Sequence, residues 1–149
     1  MIYTFQSNSR FSEKTMNDII KQWGPLTGRI LISLIFLMSG LGKVFQFDGQ
    51  VAYAASQGVP LANLAIIISI IAELAAATMI ILGYRARLGA LILLVWMIPV
   101  SVMLHAFWNI EDAMAQQMHM IMFMKNLAMM GAMLLIMSFG PGPKSINQD

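Results

Sequence analysis

The sequence predicts an all-α membrane protein: a four-transmembrane-helix bundle with a short N-terminal interfacial helix and both termini cytoplasmic. Three observations carry that prediction. The chain of 149 residues is 58% hydrophobic and only 11% charged, whereas ordinary soluble domains carry about 25% charged residues. Four apolar runs are readable, each near the roughly 20 residues that a helix needs to cross a bilayer. The basic residues Arg10, Lys14, Lys21, Arg29, Arg85, Arg87 and Lys144 all fall on one side of the implied topology, which the positive-inside rule makes cytoplasmic. The loops on the other side, Gln46 to Pro60 and Asn109 to Gln117, hold Asp48, Glu111 and Asp112 and no basic residue.

Residues 1–24 lack the basic start and unbroken apolar core of a signal peptide. Met16, Ile19, Ile20 and Trp23 recur at helical spacing opposite Lys14, Asp18, Lys21 and Gln22, the pattern of a helix lying on the membrane surface; a frayed tail is the alternative. The transmembrane domain, residues 25–140, opens with a span of about 26–45, entered through Gly24-Pro25. Its Arg29 and Lys43 can snorkel toward the two interfaces. The second span, 61–82, follows Gly58-Val59-Pro60, where proline suits a first helical turn, and ends at Gly83-Tyr84. The third, 88–108, contains Pro99, which predicts a kink. The fourth, 118–139, stops at Gly140-Pro141-Gly142-Pro143, leaving 141–149 as a cytoplasmic tail.

Composition also excludes several chemistries. With no cysteine, disulfide exchange, thiolate catalysis and cysteine-held metal clusters are closed to this chain. A net charge of +2 without a basic stripe excludes a nucleic-acid partner. No Gly-rich phosphate loop, Ser-His-Asp order or HExxH motif occurs.

The informative residues are polar ones inside apolar spans. Glu73 lies mid-span, where an acid costs about 2.5 to 3.5 kcal/mol on insertion scales and so faces an interior or a cavity. At 100° per residue, Glu73 shares a face with Ser69, Ala76 and Ala77, and Lys43 with Phe36, Ser39 and Gly40. His105 aligns with Ser101. Lys125 aligns with Ala128 and Ala132, and His119 with Asn126 on a neighbouring face. Polar and small residues sharing a face predict that these faces point inward. A rise of about 1.5 Å per residue puts Lys43, His105 and His119 near the outer end, Lys125 roughly 12 Å below the boundary and Glu73 roughly 18 Å below it. Lys125 is therefore the expected partner of Glu73, in a polar column with Lys43, His105 and His119 at its mouth and Asn126 beside Lys125. Such a pair either fixes helix register or serves chemistry, and an unpaired Glu73 would instead be neutral and suited to proton uptake. His105 and His119 are structural or could ligate haem or a metal. The methionines near them offer thioether ligands for Cu(I) but also read as flexible apolar filler.

These residues carry a resemblance. Gly28-Arg29, Ser39-Gly40 with Lys43, Glu73, Gly83 with Arg85 and Arg87, His105-Ala106-Phe107, and Lys125-Asn126-Leu127-Ala128 followed by Gly131 resemble, in order and spacing, DoxX-type membrane proteins. The resemblance covers about Gly24 to Ser145 and departs at Gly131-Ala132, where that family often has paired glycines. It implies a four-helix bundle in a bacterial inner membrane, linked to redox metabolism, as in thiosulfate:quinone oxidoreductase. The expected function is a small subunit of a quinone-linked redox system. Glu73 and Lys125 would be its catalytic pair, and Lys43, His105, His119 and Asn126 would line the quinone site; a resident metal is not expected. Electrons would come from a soluble redox partner or a bound flavin. A non-catalytic anchor or assembly factor for a redox enzyme, and a carrier of small molecules, protons or Cu(I), are the alternatives. Self-association is plausible for so small a bundle.

Overall fold

The computed structural model describes residues 2–147, with side chains from residue 15 onward, and is helical throughout, with no strand among the described residues. Its helices are α1 (Ile2–Phe45), α2 (Phe47–Ser56), α3 (Ala62–Leu82), α4 (Ala86–Leu104) and α5 (Ala113–Phe139), with a 3₁₀ turn at Phe107–Asn109 before α5. Four segments are long and apolar enough to cross a membrane: Thr15–Phe45, Ala62–Leu82, Ala86–Asn109 and Ala113–Phe139.

Local chemistry explains where these elements depart from expectation. α1 runs through Gly24-Pro25 without a break. The carbonyl four residues before Pro25 loses its usual partner, but it belongs to Lys21, on a stretch exposed on every side where polar surroundings can replace that bond. Met16, Ile19, Ile20 and Trp23 are exposed there, while Lys14 lies outside the described side chains. The expected outer loop contains α2, whose first turn holds Asp48, an acid placed favourably at the positive end of the helix dipole. α4 stops at Leu104, short of Trp108. α5 begins before Met118, because the Asp112 side chain accepts a hydrogen bond from the Ala115 backbone N–H at 2.8 Å and caps the helix.

The spanning helices pack in sequence, α1 on α3, α3 on α4 and α4 on α5, with α2 against α3 and α1; α1 and α5 make no comparable contact. Small residues permit two close approaches, as expected where lipid provides no hydrophobic drive between helices. A Cβ on Gly40 would stand 2.8 Å from the Leu74 side chain, and one on Gly89 2.9 Å from the Ala76 carbonyl oxygen. Around them Phe36, Ala76, Ala77, Ile80, Ala90, Leu93, Met97 and Met133 form the core.

Arg29 corrects the snorkelling expectation. It is buried, and its guanidinium donates to the carbonyl oxygens of Ile80, at 3.5 Å, Pro143, at 3.3 Å, and Lys144, at 2.8 Å. A cation over the last turn of α3 complements the dipole and satisfies end carbonyls. The chain after α5 therefore folds back as a strap: Ile146 and Asn147 donate backbone N–H groups to Leu82 and Gly83, and the Lys144 ammonium stands 4.7 Å from the Trp23 ring centre. Gly83 is required here. Its φ is +64°, and any Cβ would collide with the Arg29 guanidinium.

A candidate functional site in a cavity between α1 and α5

The Gly40 crossing brings α1 so close to α3 that Lys43, one turn further on, meets Glu73. The Lys43 ammonium donates to both carboxylate oxygens, at 2.7 and 2.8 Å, and to Ser39 Oγ at 2.7 Å; Ser69 Oγ donates to the same carboxylate at 2.9 Å. Glu73 is buried and accepts three hydrogen bonds, from Lys43 and Ser69. This corrects the expected Glu73–Lys125 pair. Lys125 would lie nearest Glu73 only if all spans began in one plane, whereas contact between Gly40 and Leu74 sets the end of α1 level with the middle of α3, and α2 makes up the difference. Lys43 consequently sits deep beside Glu73, not at a mouth.

This ion pair forms one wall of a cavity of about 480 Å³, within the roughly 300 to 1,000 Å³ of ligand pockets. Ile35, Phe36 and Ser39 of α1 continue that wall, and Ser69 and Ile66 of α3 back it. Trp96, Met97 and Met103 of α4 and His105 just beyond its end stand opposite, with Lys125, Asn126 and Met129 of α5. Tyr53 and Ala54 of α2, with Val59 and Pro60, cover the end remote from the termini. Five of the six residues singled out from sequence, Lys43, Glu73, His105, Lys125 and Asn126, thus line one cavity. His119 does not, but its ring packs edge-on against His105 with centres 5.6 Å apart.

The polar groups differ in how far they are committed. Asn126 donates to Ser101 Oγ at 3.0 Å, and Ser101 in turn donates to the Met97 carbonyl oxygen at 2.7 Å, tying α5 to α4. Lys125 has no carboxylate partner among the described residues and points its ammonium at Met122 Sδ, 3.2 Å away. The indole Nε1 of Trp96 and the Nδ1 atoms of His105 and His119 are buried without a protein partner. The uncommitted groups are therefore a cation, an N–H donor and two imidazoles, suited to a ligand that offers hydrogen-bond acceptors.

The α5 face also differs from expectation. Lys125 and Ala128 are exposed, whereas Asn126 and Met133 face inward. With methionine all round α5, small residues alone did not mark its packed side. Trp96 is the functional candidate that sequence reasoning passed over. Its signal was its position, a tryptophan well inside a span where the aromatic belts lie at the interfaces.

Fold and site together define a small helical membrane protein with a largely apolar cavity, bounded on one side by an ion pair, among its spans. The chain belongs to the DoxX family, which matches residues 24–106. It is 38% identical over 124 residues to inner membrane protein YphA of Escherichia coli K12, covering 83% of this chain and 87% of that protein. Inner membrane protein YqjF of the same organism is 30% identical over 135 residues, covering 91% of this chain and 95% of that one. No solved structure matches significantly.

Proposed function

We propose that this protein is a small subunit of a quinone-linked redox system in a bacterial inner membrane, and that the cavity binds the quinone headgroup. The observation that carries the reading is the lining of this cavity: Lys125, Trp96 and His105 stand among apolar residues that include Ile35, Met97, Met103 and Met129, and Trp96 Nε1 and His105 Nδ1 have no protein partner while Lys125 meets only the Met122 sulfur. An apolar cavity with a few convergent polar groups suits a ring with two carbonyl acceptors.

The residue roles follow from these commitments. Lys125 donates to one quinone carbonyl and balances negative charge that develops there on reduction. Trp96 Nε1 donates to the ring or its second carbonyl, and His105 exchanges a proton with the site, an imidazole being suited to that task. Glu73 is held by Lys43 and Ser69, so its role is to fix the wall of the cavity. Asn126 positions Lys125 by anchoring α5 to Ser101. A bound quinone supplies the two-electron acceptor, and a soluble or flavin-bearing partner supplies the electrons. The positive-inside pattern supports a cytoplasmic position for both termini, with the Arg29 strap at that face.

The commitment of Glu73 to Lys43 and Ser69 also favours a second reading. A carboxylate that already accepts three bonds serves register, as in a non-catalytic anchor for a redox enzyme. One measurement separates the two: mass spectrometry of small molecules extracted from gently purified native protein and from Lys125→Met. Stoichiometric quinone that is lost in the variant supports the site. Bulk lipid alone in both proteins rejects it and leaves the anchor.

A further inference from the structure

We propose that a long-tailed quinone enters this cavity sideways from the bilayer, between α1 and α5, leaving its tail in the gap between those two helices. The proposal rests on the quinone reading above and adds the route and the pose.

Three sides of the cavity are closed. α3 and α4 form its back, α2 with Val59 and Pro60 covers one end, and the Phe36, Met97 and Met133 core lies toward the strap at the other. The fourth side lies between α1 and α5, the first and last spans, which both line the cavity yet lack the packing that joins each sequential pair of spans. α5 is also the least enclosed span, with 11% of its most apolar stretch buried against 33% for α3.

Charge indicates what fills that side. Lys125 is exposed near the midpoint of α5, about 18 Å from its start and about 21 Å from its end at about 1.5 Å per residue, too far for its stem to carry the ammonium to an interface. A bare cation at that depth is costly. A second copy of the chain would not relieve it, because the acid at mid-span depth is Glu73, already bound to Lys43, and association through this face would set two cations together. An acceptor headgroup arriving from the lipid relieves it, with Met129 as flexible apolar lining beside the tail.

The chain has no native cysteine, so the gap can be closed covalently. Met38→Cys and Ala128→Cys, exposed residues of α1 and α5 one turn from Ile35 and Lys125 that do not themselves line the cavity, are joined by a bismaleimide in the Trp23→Phe, Trp108→Phe background. Trp96 fluorescence in phosphatidylcholine nanodiscs then reports binding of a decyl-tailed benzoquinone and of the same ring without its tail. In protein capped with a single-ended maleimide, both probes should quench saturably. After bridging, the tailed probe should bind at least about tenfold more weakly while the tailless ring stays within about twofold. Equal binding of both after bridging would move the entrance elsewhere and leave the quinone site standing. Loss of both would also overturn the gate, since the bridge would then act on the cavity and not on its entrance. Binding of neither probe to the capped protein would overturn the quinone reading itself. Co-elution of tritiated tailed quinone with bridged protein that retains its native tryptophans gives the same comparison without fluorescence.

Discussion

Replacing Glu73 by glutamine leaves the Lys43 ammonium without a counter-charge where its side chain is only 16% exposed. Removing one partner of a buried pair costs about 3 to 5 kcal/mol. The glutamine carbonyl still accepts one bond in place of the carboxylate's three, recovering about 1 kcal/mol. A net loss of about 2 to 4 kcal/mol is expected, against at most about 1 kcal/mol for an exposed pair. Reversible unfolding in mixed micelles, titrated with dodecyl sulfate and followed by circular dichroism, measures it. The companion variant Glu73→Gln, Lys43→Met removes the orphaned cation and should recover at least about half of the loss. A single variant within about 1 kcal/mol of native, or a double variant no more stable than the single one, would refute the argument that a desolvated Lys43 charge dominates.

Lys125→Met should have the opposite sign. With no acid to orphan, it removes a costly mid-span cation and should leave stability unchanged or raise it by up to about 2 kcal/mol in the same titration. Gly89→Ala should cost about 1 to 3 kcal/mol, more than Gly40→Ala, because the new methyl meets the Ala76 backbone oxygen and not the movable end of Leu74. Thermal unfolding of the two variants ranks them. Arg29→Lys loses the planar fork that serves three carbonyls, and limited proteolysis should cut the strap near Pro143 several times faster than in native protein. Single cysteines at Asn147 and Ala52 should be labelled by an impermeant maleimide from the cytoplasmic and outer faces of cells respectively, which tests the orientation.

The sequence by itself determined the class of protein, the four spans and most of the residues at the cavity. Each was legible because lipid leaves so few choices: a polar side chain must find an interior, and apolar run length fixes the number of crossings. The inward faces of α1 and α3 could be read because polar and small residues coincide there, as at Ser39, Gly40 and Lys43 or Ser69, Glu73 and Ala76. α5 resisted the same reading, since methionine packs equally well on any face and Ala128 lies on an exposed one. Only the tertiary structure decided which charge meets which. Pairing depends on the axial offset of one helix against another, and that offset is set by the contact of Gly40 with Leu74 and by the folding back of α2, neither of which periodicity along a single helix encodes. The same holds for Arg29, whose carbonyl partners lie 51 to 115 residues away in the chain, and for the side between α1 and α5, which exists only because those two helices do not pack.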